Sequence, residues 1–208
     1  GMPTPQLDQF DDKLAFTLYY ENEDDANKSL LDSSLLTKIK GQKLFPYDLL
    51  LATLKFNNEL EWNRLKDATY DELFDEMAEK GTMKIAVIIA GQGPVAFGMP
   101  EMFTPMQHIN ANRIMKKLAT IISDGRYSGV TYGAAIGHMT PEAYEGGGIG
   151  FLQTGDIVHL QLRSRRLCPV ETVLTVDRGG TVEMQRTADF RLLVDENDLT
   201  PGRSRRKC

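Results

Sequence analysis

Between residues 124 and 150 the chain reads DGRYSGVTYGAAIGHMTPEAYEGGGIG, and eight of these 27 residues are glycine. Regular structure is hard to hold at that density, because glycine loses more backbone freedom on ordering than any other residue. In return it allows positive φ or lets another group approach closely. A loop that binds or reacts needs both, and so does a tight connection in a β-rich core; the stretch is open to either reading. It follows TIIS (120–123), which reads as a strand, and it places one hydroxyl, Ser128, between two of its glycines.

The rest of the chain supplies the scaffold. KLAFTLYY (13–20) reads as a strand, and NEDDANKSLLDSSLL (22–36) as a helix with acids crowded at its start. Residues 46–80 predict mainly helix, with Pro46 as a first helical residue. There Leu50, Leu54, Trp62, Leu65, Leu73, Phe74 and Met77 form apolar faces, and Asp71, Glu72, Asp75, Glu76 and Glu79 a solvated side. After Gly81, MKIAVIIA (83–90) reads as a short buried strand and GQGPVAFGMPEM (91–102) as a loop. INANRIMKKLA (109–119) predicts a helix, TPEAYEGG (140–147) one helical turn, and GIGFLQTGDIVHLQL (148–162) two strands around TGD. Further strands are expected at 170–176, 181–187 and 190–194, with DRGG (177–180) as a hairpin turn. Residues 2–11 read as loosely attached and the terminal RSRRKC as a solvated tail. The expectation is one α/β domain over 1–208, β-rich in its layers, with a helical insertion at 36–80 and a β-rich extension over 163–208.

Composition excludes some classes. The net charge of −5 argues against nucleic acid, whose binding rests on basic side chains neutralising phosphates. The longest apolar run, IAVIIA (85–90), is too short to span a bilayer, and no secretory signal is legible, so no membrane contact and a cytoplasmic location are expected. Cys168 and Cys208 have neither metal spacing nor the pattern of a disulfide framework. Gly1 ahead of Met2 reads as a remnant of tag removal, with Met2 as the natural start.

Two residues carry candidate chemistry. Ser128 follows Arg126 and Tyr127 and precedes Gly129 and Val130, so the G-x-S-x-G nucleophile elbow is absent. Three histidines, His108, His138 and His159, are available to such a serine, and His159 alternates with apolar residues as a packing or surface residue does. Glu101, in GMPEM, is one carboxylate; alone it does not make the octahedral oxygen shell of magnesium. The residues give a site-like loop, one candidate nucleophile or base and one candidate ligand, without naming a reaction.

The motifs do resemble a family. DGRYSGVTYG, GHMTPEA, EGGGIGFL and TGDIV occur in the order of the DGRFSGGTRG, GHVSPEA, EGGPIALV and DGDxI motifs of the dihydroxy-acid and phosphogluconate dehydratase family, C-terminal domain. Upstream, GMPEMFTP is similar to its GPGMPEM motif, FTLYYENEDDANKSLL to its VFDSEEDA segment, and FRLLVDENDL to its ending. The resemblance implies a swivelling β/β/α domain with a barrel-like core. It implies dehydration of 2,3-dihydroxy or sugar acids to 2-keto acids at a site between two domains. The larger N-terminal domain of that family supplies an iron–sulfur cluster and most magnesium ligands. Carried over by motif, Glu101 is the metal ligand, Ser128 the base that removes the C–H proton, and Thr131 a substrate-binding residue. A serine serves as a base only where a metal or cluster stabilises its alkoxide.

The departures shape the expectation. PVAF (94–97) replaces the family's GGP, and Val130 and Tyr132 stand where it has glycine and arginine. No set of cluster cysteines or magnesium carboxylates is legible. No cofactor is therefore expected in the isolated chain; magnesium and an iron–sulfur cluster enter only if a partner domain completes the site. Two classes remain: a non-catalytic descendant binding a small hydroxy acid or a partner protein, and a subunit of a split hydro-lyase completed by a separate N-terminal-domain chain. A homo-oligomer is possible in either. The 46–80 helices are expected either to pack on the domain or form a homodimer contact, taking over part of the burial of the face around Ser128 and Glu101, or to form a hairpin that packs only on itself at the domain edge.

Overall fold

The computed structural model describes residues 4–129, 131, 133–163, 166–169, 174–176 and 182–184. In chain order its elements begin with α1 (Thr4–Phe10), β1 (Lys13–Tyr20), α2 (Glu23–Leu31), α3 (Leu35–Gly41), α4 (Tyr47–Asn57), α5 (Glu59–Leu65), α6 (Tyr70–Lys80) and β2 (Ile85–Ile89). There follow α7 (Pro94–Phe97), β3 (Glu101–Met102), α8 (Thr104–Ala111), α9 (Met115–Leu118), β4 (Ala119–Ser123), β5 (Arg126–Tyr127) and β6 (Ala135–Ile136). Two 3-10 turns (Ala143–Glu145 and Gly148–Phe151) lead to β7 (Ile157–Gln161), β8 (Arg166–Pro169), β9 (Leu174–Val176) and β10 (Val182–Met184).

One six-stranded sheet, in the order β6-β4-β2-β1-β7-β8, organises the α/β fold. Its first four strands are parallel, while β7 runs antiparallel to β1 and β8 to β7. The period-2 alternation of a strand sends β1 and β2 side chains to opposite faces. Leu14, Phe16, Leu18, Ile85, Val87 and Ile89 enter one core cluster, and Ala15, Ala86 and Ile88 enter another. Both faces are covered, which is why β2 is a continuous apolar run. Among the described residues the sheet curls as a half-barrel and ends at β6 and β8 without closing, so the barrel-like core expected is met in part.

Helices α2 to α6 lie between β1 and β2 in the chain and fill the first face. Leu50, Leu54, Leu65, Leu73, Phe74 and Met77 join its core, and Phe45 stacks on Phe16 with ring centroids 4.3 Å apart. Asn57 fastens α4 to β1 by accepting the Leu14 N–H and donating to the Leu14 carbonyl, each at 2.8 Å. Helix α6 starts in a Thr69–Glu72 capping box and stops at Gly81, whose φ of 73° ends it in the left-handed region. These helices are thus part of the core. They do not seal the candidate face, because the Glu101 side chain remains 50% exposed and Ser128 half-buried.

Four local expectations change. Residues 4–10 form a helix whose neighbour contacts hold it, with Phe10 fully buried and Arg163 paired to Asp8 and Asp11. Pro46 is the N-cap of α4, with the helix starting at Tyr47. The helix expected over 109–119 is split into α8 and α9, because Asn112 Oδ1 accepts the N–H groups of Ile114 and Met115 and caps a new start. Residues 148–151 form a 3-10 turn, not a strand. Strands expected at 170–176 and 181–187 appear as the antiparallel pair β9 and β10; the turn at 177–180, the strand at 190–194 and the basic tail lie outside the described residues.

Candidate functional site

The loops that leave the C-terminal ends of β1, β2, β4 and β6 meet on one crest, the edge at which open α/β sheets usually bind ligands. Asp124, immediately after β4, is 1% exposed and ties three of these segments together. Its Oδ2 accepts the N–H groups of Gly91 (3.1 Å) and Ala143 (2.9 Å), and its Oδ1 that of Gln92 (2.9 Å). A second buried carboxylate, Glu142, accepts the Val95 N–H and so holds the start of α7. Glycine is required at two positions around this contact. A Cβ at Gly93 would overlap the Glu142 carboxylate, and one at Gly147 would overlap the Pro141 carbonyl.

On the crest β3 and β5 form a short parallel ribbon that pairs Glu101 with Arg126 and Met102 with Tyr127. The Ser128 N–H continues the ladder to the Met102 carbonyl at 2.9 Å. This hydrogen bond keeps the Ser128 backbone beside the ribbon, two positions beyond the Arg126 that pairs with Glu101, so strand spacing and rise put the Glu101 and Ser128 Cα atoms roughly 8 Å apart. The Thr131 N–H donates to the Ser128 carbonyl at 2.9 Å, folding the chain back over the serine. Thr131 Oγ1 is buried and has no hydrogen-bond partner among the described residues.

Charge is graded across the ribbon. Arg126 Nε donates to the Met99 carbonyl at 2.9 Å while Nη1 lies 3.4 Å from Glu101 Oε1. Beneath them, burial, then the charges of Asp124 and Glu23, push the Tyr127 hydroxyl well above the usual tyrosine range. Burial also raises the Glu23 carboxyl, opposed by the Phe103 N–H. Of the histidines, His138 is exposed and donates its N–H to the Gly125 carbonyl. His159 is buried in β7, edge-on to Phe56, with Nε2 2.7 Å from Asp12 Oδ1.

A family model described as dihydroxy-acid/6-phosphogluconate dehydratase C-terminal matches residues 63–187, more than half of the chain. The chain belongs to this dehydratase family. Among its relatives, the chloroplastic dihydroxy-acid dehydratase of Arabidopsis thaliana is 43% identical over 94 residues, 45% of this chain and 15% of that protein. The dihydroxy-acid dehydratase of Methanococcoides burtonii is 45% identical over 91 residues, 42% of this chain and 16% of the relative. That of Oleidesulfovibrio alaskensis is 39% identical over 103 residues, 49% of this chain and 18% of the relative. The matched stretch spans less than a fifth of each of these dehydratases.

The described donors do not by themselves fit the metal groups of a dehydratase site. Among the described residues no group of three or more His, Cys, Asp or Glu side chains is placed to hold a metal ion. Glu101 offers one carboxylate, already beside Arg126, where magnesium takes six oxygens. Cys168 lies in β8 and Cys208 outside the described residues, while a cluster takes several thiolates. No helix among the described residues is long and apolar enough to cross a membrane.

Proposed function

We propose that this dehydratase-family domain forms one wall of a site for a small hydroxy acid and does not dehydrate the acid by itself. What supports the reading is the backbone pairing that keeps Ser128 beside the Glu101 strand and Thr131 hydrogen-bonded to Ser128. There the Ser128 hydroxyl can exchange hydrogen bonds with a ligand hydroxyl. The buried Thr131 Oγ1, which has no partner among the described residues, gains one when a polar ligand arrives; leaving such an atom unsatisfied costs about 1–3 kcal/mol. A free serine hydroxyl is too weak a base to take a proton from carbon. In this reading the domain is of the swivelling kind, able to turn its crest toward another protein surface.

The Glu101 and Ser128 motifs support one further reading. Glu101 as ligand and Ser128 as base would then complete a hydro-lyase site with donors from a separate N-terminal-domain chain, which would bring magnesium and a cluster. The two readings share the acid-binding crest and differ in the second component.

The test is acid binding by the purified chain, followed through backbone amide shifts with short branched 2,3-dihydroxy acids and sugar acids. Shifts should concentrate at residues 126–131 and weaken at least tenfold in Ser128→Ala and Thr131→Val. Absence of any shift there at millimolar acid would remove the proposal. Formation of 2-keto acid by the chain alone with magnesium would show that it is more than one wall.

A further inference from the structure

Positive charge is spread unevenly along this chain. It has 24 lysines and arginines, yet over 85–112 and 118–162 the sequence contains a single one, Arg126. These two stretches hold β2 to β7 and the crest loops that carry Glu101, Ser128 and Thr131. The same stretches bring five carboxylates, Glu101, Asp124, Glu142, Glu145 and Asp156. An anion arriving at the crest therefore meets charges of its own sign, with one guanidinium among them. Asp124 and Glu142 are buried and accept backbone N–H groups, whereas Glu101 stands half exposed beside Arg126.

Arg126 is held so that one edge of its guanidinium stays open. Nε donates to the Met99 carbonyl at 2.9 Å, which fixes the plane of the group. Met99 itself has φ 55°, a left-handed conformation that residues other than glycine adopt rarely and at a cost. Nη1 lies 3.4 Å from Glu101 Oε1, longer than the roughly 2.7–2.9 Å of a close charge-assisted hydrogen bond. The ion pair is thus loose, and Nη2 has no hydrogen-bond partner among the described residues. The Arg126 side chain is 48% exposed, so this edge is open to water. Two parallel N–H groups in a rigid fork match the two oxygens of a carboxylate.

We infer that Arg126 receives the carboxylate of the acid bound at this crest, through its Nη1–Nη2 edge. The inference rests on the acid-binding reading and adds to it the group that recognises the acid's charge. The ligand hydroxyls fall to Ser128 and Thr131, two and five positions further along the same loop. Because Nε is already anchored, little side-chain freedom is lost when the carboxylate docks. Glu101 opposes this step in the chain alone, since it shares the guanidinium and repels the arriving anion. Lysine is no equivalent here. Its ammonium is a point charge and does not hold the Met99 carbonyl and a bidentate carboxylate in one plane.

The test compares 2,3-dihydroxybutanoate with its uncharged carboxamide, titrated into the full chain without added metal and followed by the backbone shifts of residues 127–131. The parent should bind the acid at least tenfold more tightly than the carboxamide, and the gap should narrow as salt rises. Arg126→Gln should weaken the acid at least tenfold and leave the carboxamide within about twofold, because only the charged contact is lost. Arg126→Lys should recover part of the loss, and Glu101→Gln should bind the acid more tightly than the parent. Met99→Gly separates recognition from support, because glycine takes the left-handed backbone without help. If Arg126 serves only to hold Met99, the double variant Arg126→Gln/Met99→Gly regains acid binding, and the inference is overturned. It is overturned as well if acid and carboxamide weaken together in Arg126→Gln. Acid that shifts the crest and is indifferent to Arg126→Gln sinks this inference and leaves the acid-binding reading standing. No shift with either compound at millimolar concentration removes that reading, and this inference with it.

Discussion

Asp124→Asn changes one atom in the side chain that ties the crest together. The carboxylate accepts three backbone N–H groups, two at Oδ2 and one at Oδ1. Asparagine retains one acceptor oxygen. Placed where Oδ2 stands, that oxygen still serves Gly91 and Ala143, and the new NH2 then faces the Gln92 N–H, donor against donor. One hydrogen bond to a charged group is lost, worth about 1.5–3 kcal/mol, and a buried N–H is left unsatisfied at a further ~1–3 kcal/mol. Loop relaxation returns part of this, so a loss near 3 kcal/mol is expected. Urea unfolding gives the total, and amide exchange gives its distribution. Gln92 should lose more protection than Gly91 or Ala143. A variant within about 0.5 kcal/mol of the parent, the range of ordinary surface changes, would refute the reasoning. An equal change at all three amides would refute the assigned orientation.

Lys84 is nearly buried, its amine on the Lys117 carbonyl and over the Phe10 ring, and burial, then the charge of Lys13, lowers its pKa from 10.5 to about 8. The folded state therefore binds fewer protons than the unfolded state between these values, so stability rises with pH across that window, by at most about 3 kcal/mol. Urea midpoints from pH 8 upward within this window should show the rise in the parent, and Lys84→Met should lack that contribution. Phe45→Ala removes a fully buried ring from its stack on Phe16 and should cost about 3–5 kcal/mol, read by the same unfolding measurement. Gly93→Ala should push Glu142 off the Val95 N–H and make the α7 loop the first site of limited proteolysis, with the central strands still protected from exchange.

What the sequence disclosed and what it withheld divides by the range of the stabilising contact. β1, β2 and α6 carry their own signals: apolar runs, a capping box and a terminal glycine. Ser128 and Glu101 were legible as candidates by motif; Glu101 lies in the β3–β5 ribbon, and the Ser128 N–H continues its ladder to Met102. Helix α7 was not legible, because its one turn is held by Glu142, 47 residues away in the chain. The role of Asp124 was hidden for the same reason: its partners are backbone N–H groups 33 residues before it and 19 after. An aspartate at the end of an apolar strand, followed at once by glycine, was the available signal. The run at 148–151 mixes glycine with Ile149 and Phe151, and so short an apolar run does not separate strand from turn.

The position of β1 has a consequence for how the chain reaches this state. β1 lies between β2 and β7, and its pairings join Phe16 to Ile85 and to Ile157, 69 and 141 residues further along. The β2–β4 pairing of Ile85 with Ala119 spans 34 residues. Loop-closure entropy grows slowly with length, so α3 to α6 add little to the cost of the β1–β2 crossover. Distance in sequence nevertheless slows pairing, and β1 carries the uncharged run AFTLYY with both edges open until its neighbours arrive. During synthesis this strand is made before both of its partners and is paired late. Its open edges, more than the glycine-rich crest, are where association with other nascent chains would begin.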